Sequence, residues 1–325
     1  MNKLQRFALI ILFVISSVGV SAQYFNGQTS YWKSQRHSFG LGLGASFFLG
    51  ELGGRDQVGT DFIYDLELSR TRPALHLNYR YQLGSRLYAK AQFAFAYIGG
   101  SDALTEEIFR RNRNLSFRSS VFEFTIQGEF DVIDFTPKNR YGKVKTSKLE
   151  GSSLYISAGV GVTRFNPQGN FEGTWYDLKD FGTEGQLQEG GPAEYSLFTV
   201  VIPLGMGYRL QLNKEWTVGF EVVHRITFTD YMDDVSTVYF DNQTIADTQG
   251  ELAAIFADPS LGFYVDENGT RVPLNSTDTG LQRGDPEDND AYFFAMFNLN
   301  YKIAQKRFKR GRGRVTKRRR RRVVF

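Results

Sequence analysis

Ala291–Ile303 reads AYFFAMFNLNYKI. Its odd positions, Ala291, Phe293, Ala295, Phe297, Leu299, Tyr301 and Ile303, are all apolar. Its even positions pass from Tyr292, Phe294 and Met296 to Asn298, Asn300 and Lys302. A repeat of two places successive side chains on opposite faces of a β-strand. One face is apolar over thirteen residues, longer than the usual strand of a soluble domain. A tilted transmembrane strand needs about 9–11 residues to cross the hydrocarbon.

Working outward, seven more segments carry the same pattern: Ser38–Leu49, Ala74–Leu83, Leu87–Ile98, Phe122–Val132, Leu154–Phe165, Phe198–Leu210 and Trp216–Phe228. In the first, the face opposite Phe39, Leu41 and Leu43 holds Gly40, Gly42, Gly44 and Ser46, small residues that leave room inside a narrow barrel. Upstream of Phe122, Leu115 and Phe117 sit on the opposite parity, which predicts a bulge or a strand start near Ser119–Val121. The connections alternate. Gly50–Thr71, Gly99–Asn114, Asn166–Glu194 and Thr229–Asn289 are long, whereas Gly84-Ser85 and Gln211–Lys214 are short and the basic Asp134–Ser152 is moderate. Tyr79, Tyr81, Tyr97, Tyr208, Trp216 and Tyr301 fall near strand ends, where interfacial girdles lie. The pattern predicts an all-β fold: an eight-stranded antiparallel up-and-down transmembrane outer-membrane β-barrel with long outer loops and both termini periplasmic. A soluble up-and-down barrel of the lipocalin kind is the alternative.

The flanks fit an exported protein. Lys3 and Arg6 precede the apolar Phe7–Val20, and Val20-Ser21-Ala22 offers a small-residue cleavage site, so residues 1–22 read as a signal peptide. Residues 23–35 form a polar periplasmic lead-in, 36–304 the barrel, and 305–325 a basic periplasmic tail. The chain has no cysteine, which excludes disulfides, thiolate metal sites and a cysteine nucleophile. The formal charge of +4 hides an asymmetry. Lys306, Arg307, Lys309, Arg310, Arg312, Arg314, Lys317, Arg318, Arg319, Arg320, Arg321 and Arg322 put twelve cations in the tail, leaving 27 basic against 35 acidic residues elsewhere. These twelve are the candidate partner-binding residues. An exported chain does not ordinarily meet nucleic acid. The tail therefore suits anionic lipid headgroups, the cell-wall polymer or an acidic protein surface.

An eight-stranded barrel is just wide enough for side chains to fill. The inward parity carries Arg80, Lys90, Arg209, Arg225 and Lys302 with Glu123, Glu129, Asp131 and Glu221. Buried charges are costly unless paired, so these predict a polar plug rather than a pore. The three histidines, His37, His76 and His224, lie in different strands without metal-ligand spacing. A membrane hydrolase using His224 is a rival reading, but no Gly-x-Ser-x-Gly elbow accompanies it. The acidic stretches Asp230–Asp234 and Asp285–Asp290 invite calcium, yet neither has the alternating pattern with a distal Glu that a calcium loop requires. No catalytic residue, cofactor, metal ligand or small-molecule substrate is expected.

Four stretches carry a resemblance. Gly40–Gly53 (GLGLGASFFLGELG), Arg72–Leu83 (RPALHLNYRYQL), Tyr155–Pro167 (YISAGVGVTRFNP) and Pro203–Tyr239 resemble the PorG-type outer-membrane barrels of the type IX secretion and gliding machinery. The most specific part is Arg225–Tyr239, with Thr229-Asp230-Tyr231-Met232-Asp233-Asp234-Val235-Ser236 at its centre. The resemblance implies a non-enzymatic role, tying a periplasmic ring built of PorK and PorN to the outer membrane. The strongly basic tail is not a hallmark of those barrels. A stand-alone adhesion or ligand-binding barrel acting through Thr229–Asn289 is the alternative.

Overall fold

The closing event of the fold is the pairing of the last strand with the first. The computed structural model describes residues 35–52, 71–105, 107–135, 151–213, 215–266 and 269–303. The expected signal peptide, all but the last residue of the lead-in, and the basic tail lie outside these. The chain forms β1 (His37–Leu49), β2 (Arg72–Gln82), β3 (Leu87–Ser101), helix α1 (Ile108–Arg113), β4 (Ser116–Asp134) and β5 (Ser152–Arg164). The hairpin β6 (Pro167–Phe171) and β7 (Thr174–Asp177) precedes β8 (Phe198–Gln211) and β9 (Trp216–Thr227). Then come α2 (Asn242–Gln249), α3 (Glu251–Ala257), the small hairpin β10 (Phe263–Val265) and β11 (Arg271–Pro273), and β12 (Ala291–Ile303). Eight long strands pair antiparallel in the cyclic order β1-β2-β3-β4-β5-β8-β9-β12. β12 meets β1 along its whole length, from His37 opposite Ile303 to Leu49 opposite Ala291. No sheet edge remains in the barrel wall, which satisfies the backbone where no water can reach it.

The alternation sorts the side chains as the sequence predicts. Phe39, Leu41, Leu43, Leu77, Phe93, Phe124, Ile126, Ile156, Val160, Met206 and Leu299 are exposed on the outer wall, and Phe297 is 70% exposed. No helix among the described residues is long and apolar enough to cross a membrane. The start of β1 and the end of β12 share a rim with the short turns that follow β2 and β8. That rim carries an aromatic band: His37 packs on Tyr81 at 5.0 Å between ring centres, and Trp216 on Tyr301 at 5.0 Å.

One expectation is corrected. β4 begins at Ser116, and its alternation runs unbroken through Ser119–Val121; the single irregularity falls between Asp131 and Ile133, opposite β5. Leu115 and Phe117 keep the inward parity because the lumen changes character along its axis. Near the long connections it is apolar: Phe48, Ile98, Phe117, Val121, Tyr292, Phe294 and Met296 pack there against Leu52, Met232, Val235 and Phe256 of the loops. The polarity gradient read along β12 is thus the gradient of the lumen.

The glycines of β1 make room for this filling. A Cβ at Gly44 would fall on the carbonyl oxygen of Ala295 in the neighbouring β12, and one at Gly42 on the imidazole of His76. Gly44→Val should therefore strain the β1–β12 seam, costing about 1–3 kcal/mol as overpacking does. The expected result is a reduced yield of the compact, heat-modifiable species on refolding into detergent, with a Gly128→Ala control, whose added Cβ meets only the Ala158 carbonyl oxygen at 3.9 Å, refolding normally.

Candidate functional site

Two sets of polar side chains stand out: the ion-paired lumen and the cap built by the long connections. In the lumen, β4 supplies Glu123, Glu129 and Asp131 on its buried, inward parity, each facing cations from across the barrel. Glu129 is the hub. Arg80 reaches it at 2.9 Å, Lys90 at 3.3 Å and Arg209 at 2.7 Å. Lys90 also bridges to Glu221 at 3.1 Å, which accepts a hydrogen bond from Tyr155 Oη at 2.8 Å. Arg209 lies 3.5 Å from Asp131 and over the Tyr155 ring. Higher up, Arg225 pairs with Glu123 at 3.1 Å and stacks on Phe294, and Tyr292 donates to Glu123 at 2.8 Å. Lys302, nearest the short-turn rim, donates to Gln211 at 3.3 Å. All nine charged residues of the inward parity do face inward, and eight of them join carboxylate–cation pairs. Such a plug fills the space that a solute would need.

The histidines do not converge. His37 sits at the rim within 2.6 Å of Tyr79 Oη, and His76 is buried in the lumen 3.9 Å from Glu221. His224 is on the outward face of β9, opposite Leu204 of β8 and Phe293 of β12. That position among lipid-facing neighbours is poor ground for hydrolytic chemistry. The twelve tail cations, Lys306 to Arg322, lie outside the described residues.

The cap is organised by Thr229–Ser236. Asp234 adopts a left-handed backbone, with φ of 69°, and accepts hydrogen bonds from Thr183 and Tyr195, each at 2.6 Å. Arg283 donates to the Asp234 carbonyl at 2.5 Å and to Glu184 at 2.9 Å. Glu184 in turn accepts from the Ser236 amide at 2.8 Å and the Thr237 hydroxyl at 2.7 Å. Asp233 accepts the amides of Leu52 and Val235. Met232 and Val235 are buried in the apolar core beneath. Arg113 of α1 pairs with Asp102 at 2.8 Å and donates to the Arg283 carbonyl at 2.6 Å. Four connections are thereby tied together. Glu51, Glu184, Arg113 and Arg283 were not singled out by sequence reasoning, because each sits in a polar loop whose partners are remote in sequence.

Several cap carboxyls are held protonated more strongly than usual. Burial pushes Glu51 up to about 8, with Asp230 adding to the shift and the Asp285 amide and Arg113 opposing it. Burial likewise pushes Asp230 up to about 8, reinforced by Asp233, Glu184 and Asp285. Ser236 offsets part of that rise, although no hydrogen bond of normal geometry reaches either Asp230 oxygen. Asp233 and Asp290 are raised well above the carboxylate range, again chiefly by burial; the charge of Glu51 adds to the rise of Asp233, and those of Asp233, Glu51 and Asp230 to the rise of Asp290.

A closed eight-stranded meander with an apolar outer wall, an aromatic rim and a charge-paired interior is an integral outer-membrane β-barrel. The chain belongs to the family described as a domain of unknown function (DUF6089), whose model matches residues 20–249. That match spans β1 to β9 together with Thr229–Ser236. No curated protein matches the sequence. Among solved structures, the chain is similar to Ail, the attachment invasion locus protein of Yersinia pestis, with 9% identity and a TM-score of 0.36, covering 83% of this chain and 99% of that one. It is also similar to Neisserial surface protein A, with 5% identity and a TM-score of 0.38, covering 82% and 97%. A major outer membrane protein of Thermus thermophilus gives 9% identity and a TM-score of 0.35, covering 82% and 99%. The assignment to the outer-membrane barrels rests on the chain's own closure, belt and lumen.

Truncating Glu129 to alanine strands Arg80 in a buried site and leaves Lys90 and Arg209 with one carboxylate each, Glu221 and Asp131; it should cost about 3–5 kcal/mol in urea unfolding from lipid vesicles. Lys302→Met, which removes no ion pair, should stay within about 0.5 kcal/mol of the parent. In the cap, Glu51 and Asp230 have folded pKa values above their unfolded ones, so their contribution is complete at acid pH and lost as pH rises through about 8. Limited proteolysis in buffer containing EDTA should accordingly cut the long connections faster at pH 9 than at pH 6, with the barrel strands resistant at both.

Proposed function

We propose that this barrel is a non-enzymatic membrane anchor: a structural component of the type IX secretion apparatus that ties a periplasmic ring of the PorK/PorN type to the outer membrane. The observation that carries the anchoring role is the filled lumen. With Glu129, Glu221 and Glu123 paired across it, the barrel offers its rims and termini, rather than a conduit, as working surfaces. In this reading the short-turn rim faces the periplasm, so that both ends of the barrel segment enter that compartment beside the partner. The basic residues Lys306–Arg322 would hang beneath it as a tether for an acidic protein surface.

The step from anchor to secretion component is supported by the resemblance of Gly40–Gly53, Arg72–Leu83, Tyr155–Pro167 and Pro203–Tyr239 to PorG-type barrels. These stretches cover most of β1 and its exit, β2, most of β5, and most of the β8–β9 pair with the Thr229–Ser236 hub. A second reading, a barrel that adheres or binds ligand through its outer face, is favoured by one observation. The connection after β9 is folded into α2, α3 and the β10–β11 hairpin rather than being a bare loop.

Co-purification from detergent-solubilised outer membrane distinguishes these readings. The full-length chain should bring down large periplasmic ring proteins, identified by mass spectrometry, and a chain ending at Gln305 should recover at most a small fraction of them. Equal recovery by both would move the contact from the tail to the turns. Recovery by neither would remove the secretion reading and leave the outer-face binder. Shortening the β10–β11 hairpin should leave secretion intact if the barrel is an anchor, and abolish adhesion if it is a binder.

A further inference from the structure

The acidic stretches Asp230–Asp234 and Asp285–Asp290 each lack the spacing of a calcium loop, but the fold combines one residue from each with a third. Glu51 lies two residues past β1, Asp230 three past β9, and Asp290 immediately before β12. Their carboxylates approach one another so that ligand atoms from all three lie within 4.8 Å.

The hydrogen bonds around these groups divide their oxygens into two sets. Glu51 Oε1 accepts the Asp285 amide at 2.6 Å, and Asp290 Oδ2 accepts the Met232 amide at 2.8 Å. Glu51 Oε2, Asp290 Oδ1 and both oxygens of Asp230 accept none. Asp230 is only 6% exposed and Asp290 1%, so water does not readily replace a missing donor. Neighbouring Asp233 differs, since both its oxygens are engaged by backbone amides. The nearby cations are turned elsewhere. Arg113 is occupied by Asp102 and the carbonyls of Arg283 and Glu51, and Arg283 by Glu184 and Asp234. Four unclaimed carboxylate oxygens on three side chains, two of them buried, are a costly arrangement unless positive charge joins them.

We propose that Glu51, Asp230 and Asp290 bind a calcium ion, which ties the exit of β1 to both ends of the connection between β9 and β12. The donor set is oxygen alone, which selects a hard cation over zinc or copper. Calcium–oxygen bonds of about 2.3–2.6 Å allow two ligand atoms on one ion to stand up to about 5 Å apart, and calcium tolerates irregular geometry with water completing its shell. Magnesium, at about 2.1 Å in a strict octahedron, fits this spacing less well. The ion holds together the two loops that the Thr229–Ser236 hub already joins through the hydrogen bond from Leu52 to Asp233. This site is independent of the ring-anchoring role.

The test is isothermal titration of the full-length chain, folded in detergent and freed of metal, with calcium chloride and separately with magnesium chloride. One calcium per chain should bind with a dissociation constant on the order of 10⁻⁴ M, as in extracellular modules, and more tightly than magnesium. Asp230→Asn and Glu51→Gln should each weaken binding by about tenfold or more while the barrel stays heat-modifiable. Glu51→Gln changes the partly exposed member of the trio and keeps the test informative should the buried variants misfold. Calcium should also slow protease cutting of the long connections in the parent and not in Asp230→Asn. No saturable binding by the folded parent, or unchanged affinity in both variants, would overturn the proposal.

Discussion

A charge inside an eight-stranded barrel cannot be left alone. The lumen is too narrow to hydrate it fully, so every inward carboxylate must find a cation from another strand. Glu129 meets this constraint with three partners drawn from β2, β3 and β8, and Glu221 with Lys90 and Tyr155. The consequences reach well beyond the pairs. Gly40 and Gly42 of β1 are required because polar side chains from β2 and β12 occupy the space in front of them, and Gly44 because the β12 backbone does. The register of each strand is fixed because a slip of one residue would turn the charges toward lipid. Closure, register and the filling of the lumen share this cause.

The upper half of the lumen obeys the opposite rule. There the long connections fold over the barrel end, water is excluded from above as well as from the sides, and the inward parity turns to Phe48, Phe117, Tyr292 and Phe294. Cap and barrel therefore share a core. Thr229–Ser236 is the keystone because its residues are divided between two tasks. Met232 and Val235 anchor it below, while Asp233, Asp234 and the Ser236 amide hold partners from other connections. A segment with so many simultaneous requirements tolerates few substitutions.

The cap is also where local and global demands conflict. Carboxylates that would be solvated in a single loop are brought together when the loops pack, and burial then raises the cost of their charge. Asp230 and Asp290 are 60 positions apart in the chain but share one site. Protons or a cation can relieve such a cluster, and the two remedies respond oppositely to pH. Either way, the stability of the outer face is set separately from that of the membrane-spanning wall.

How much of this was legible beforehand follows from the range of each interaction. A period of two is written in neighbouring residues, so the eight strands, their lipid-facing and inward faces, and the nine charged residues of the lumen could be read from the sequence. β12 spans Ala291–Ile303, the same range that its alternation marks. The start of β4 is not legible in this way because its upper inward face is apolar, and parity alone does not say what lies inside. The partners of each lumen charge, the engagement of Glu184 and Arg283, and the meeting of Glu51 with Asp230 and Asp290 were decided only by tertiary structure. Those contacts join residues from different strands or loops, and no local pattern records which loop folds against which. The sequence determined the wall of this protein because a wall is built from local alternation, while the cap came from long-range packing that only the closed barrel brings about.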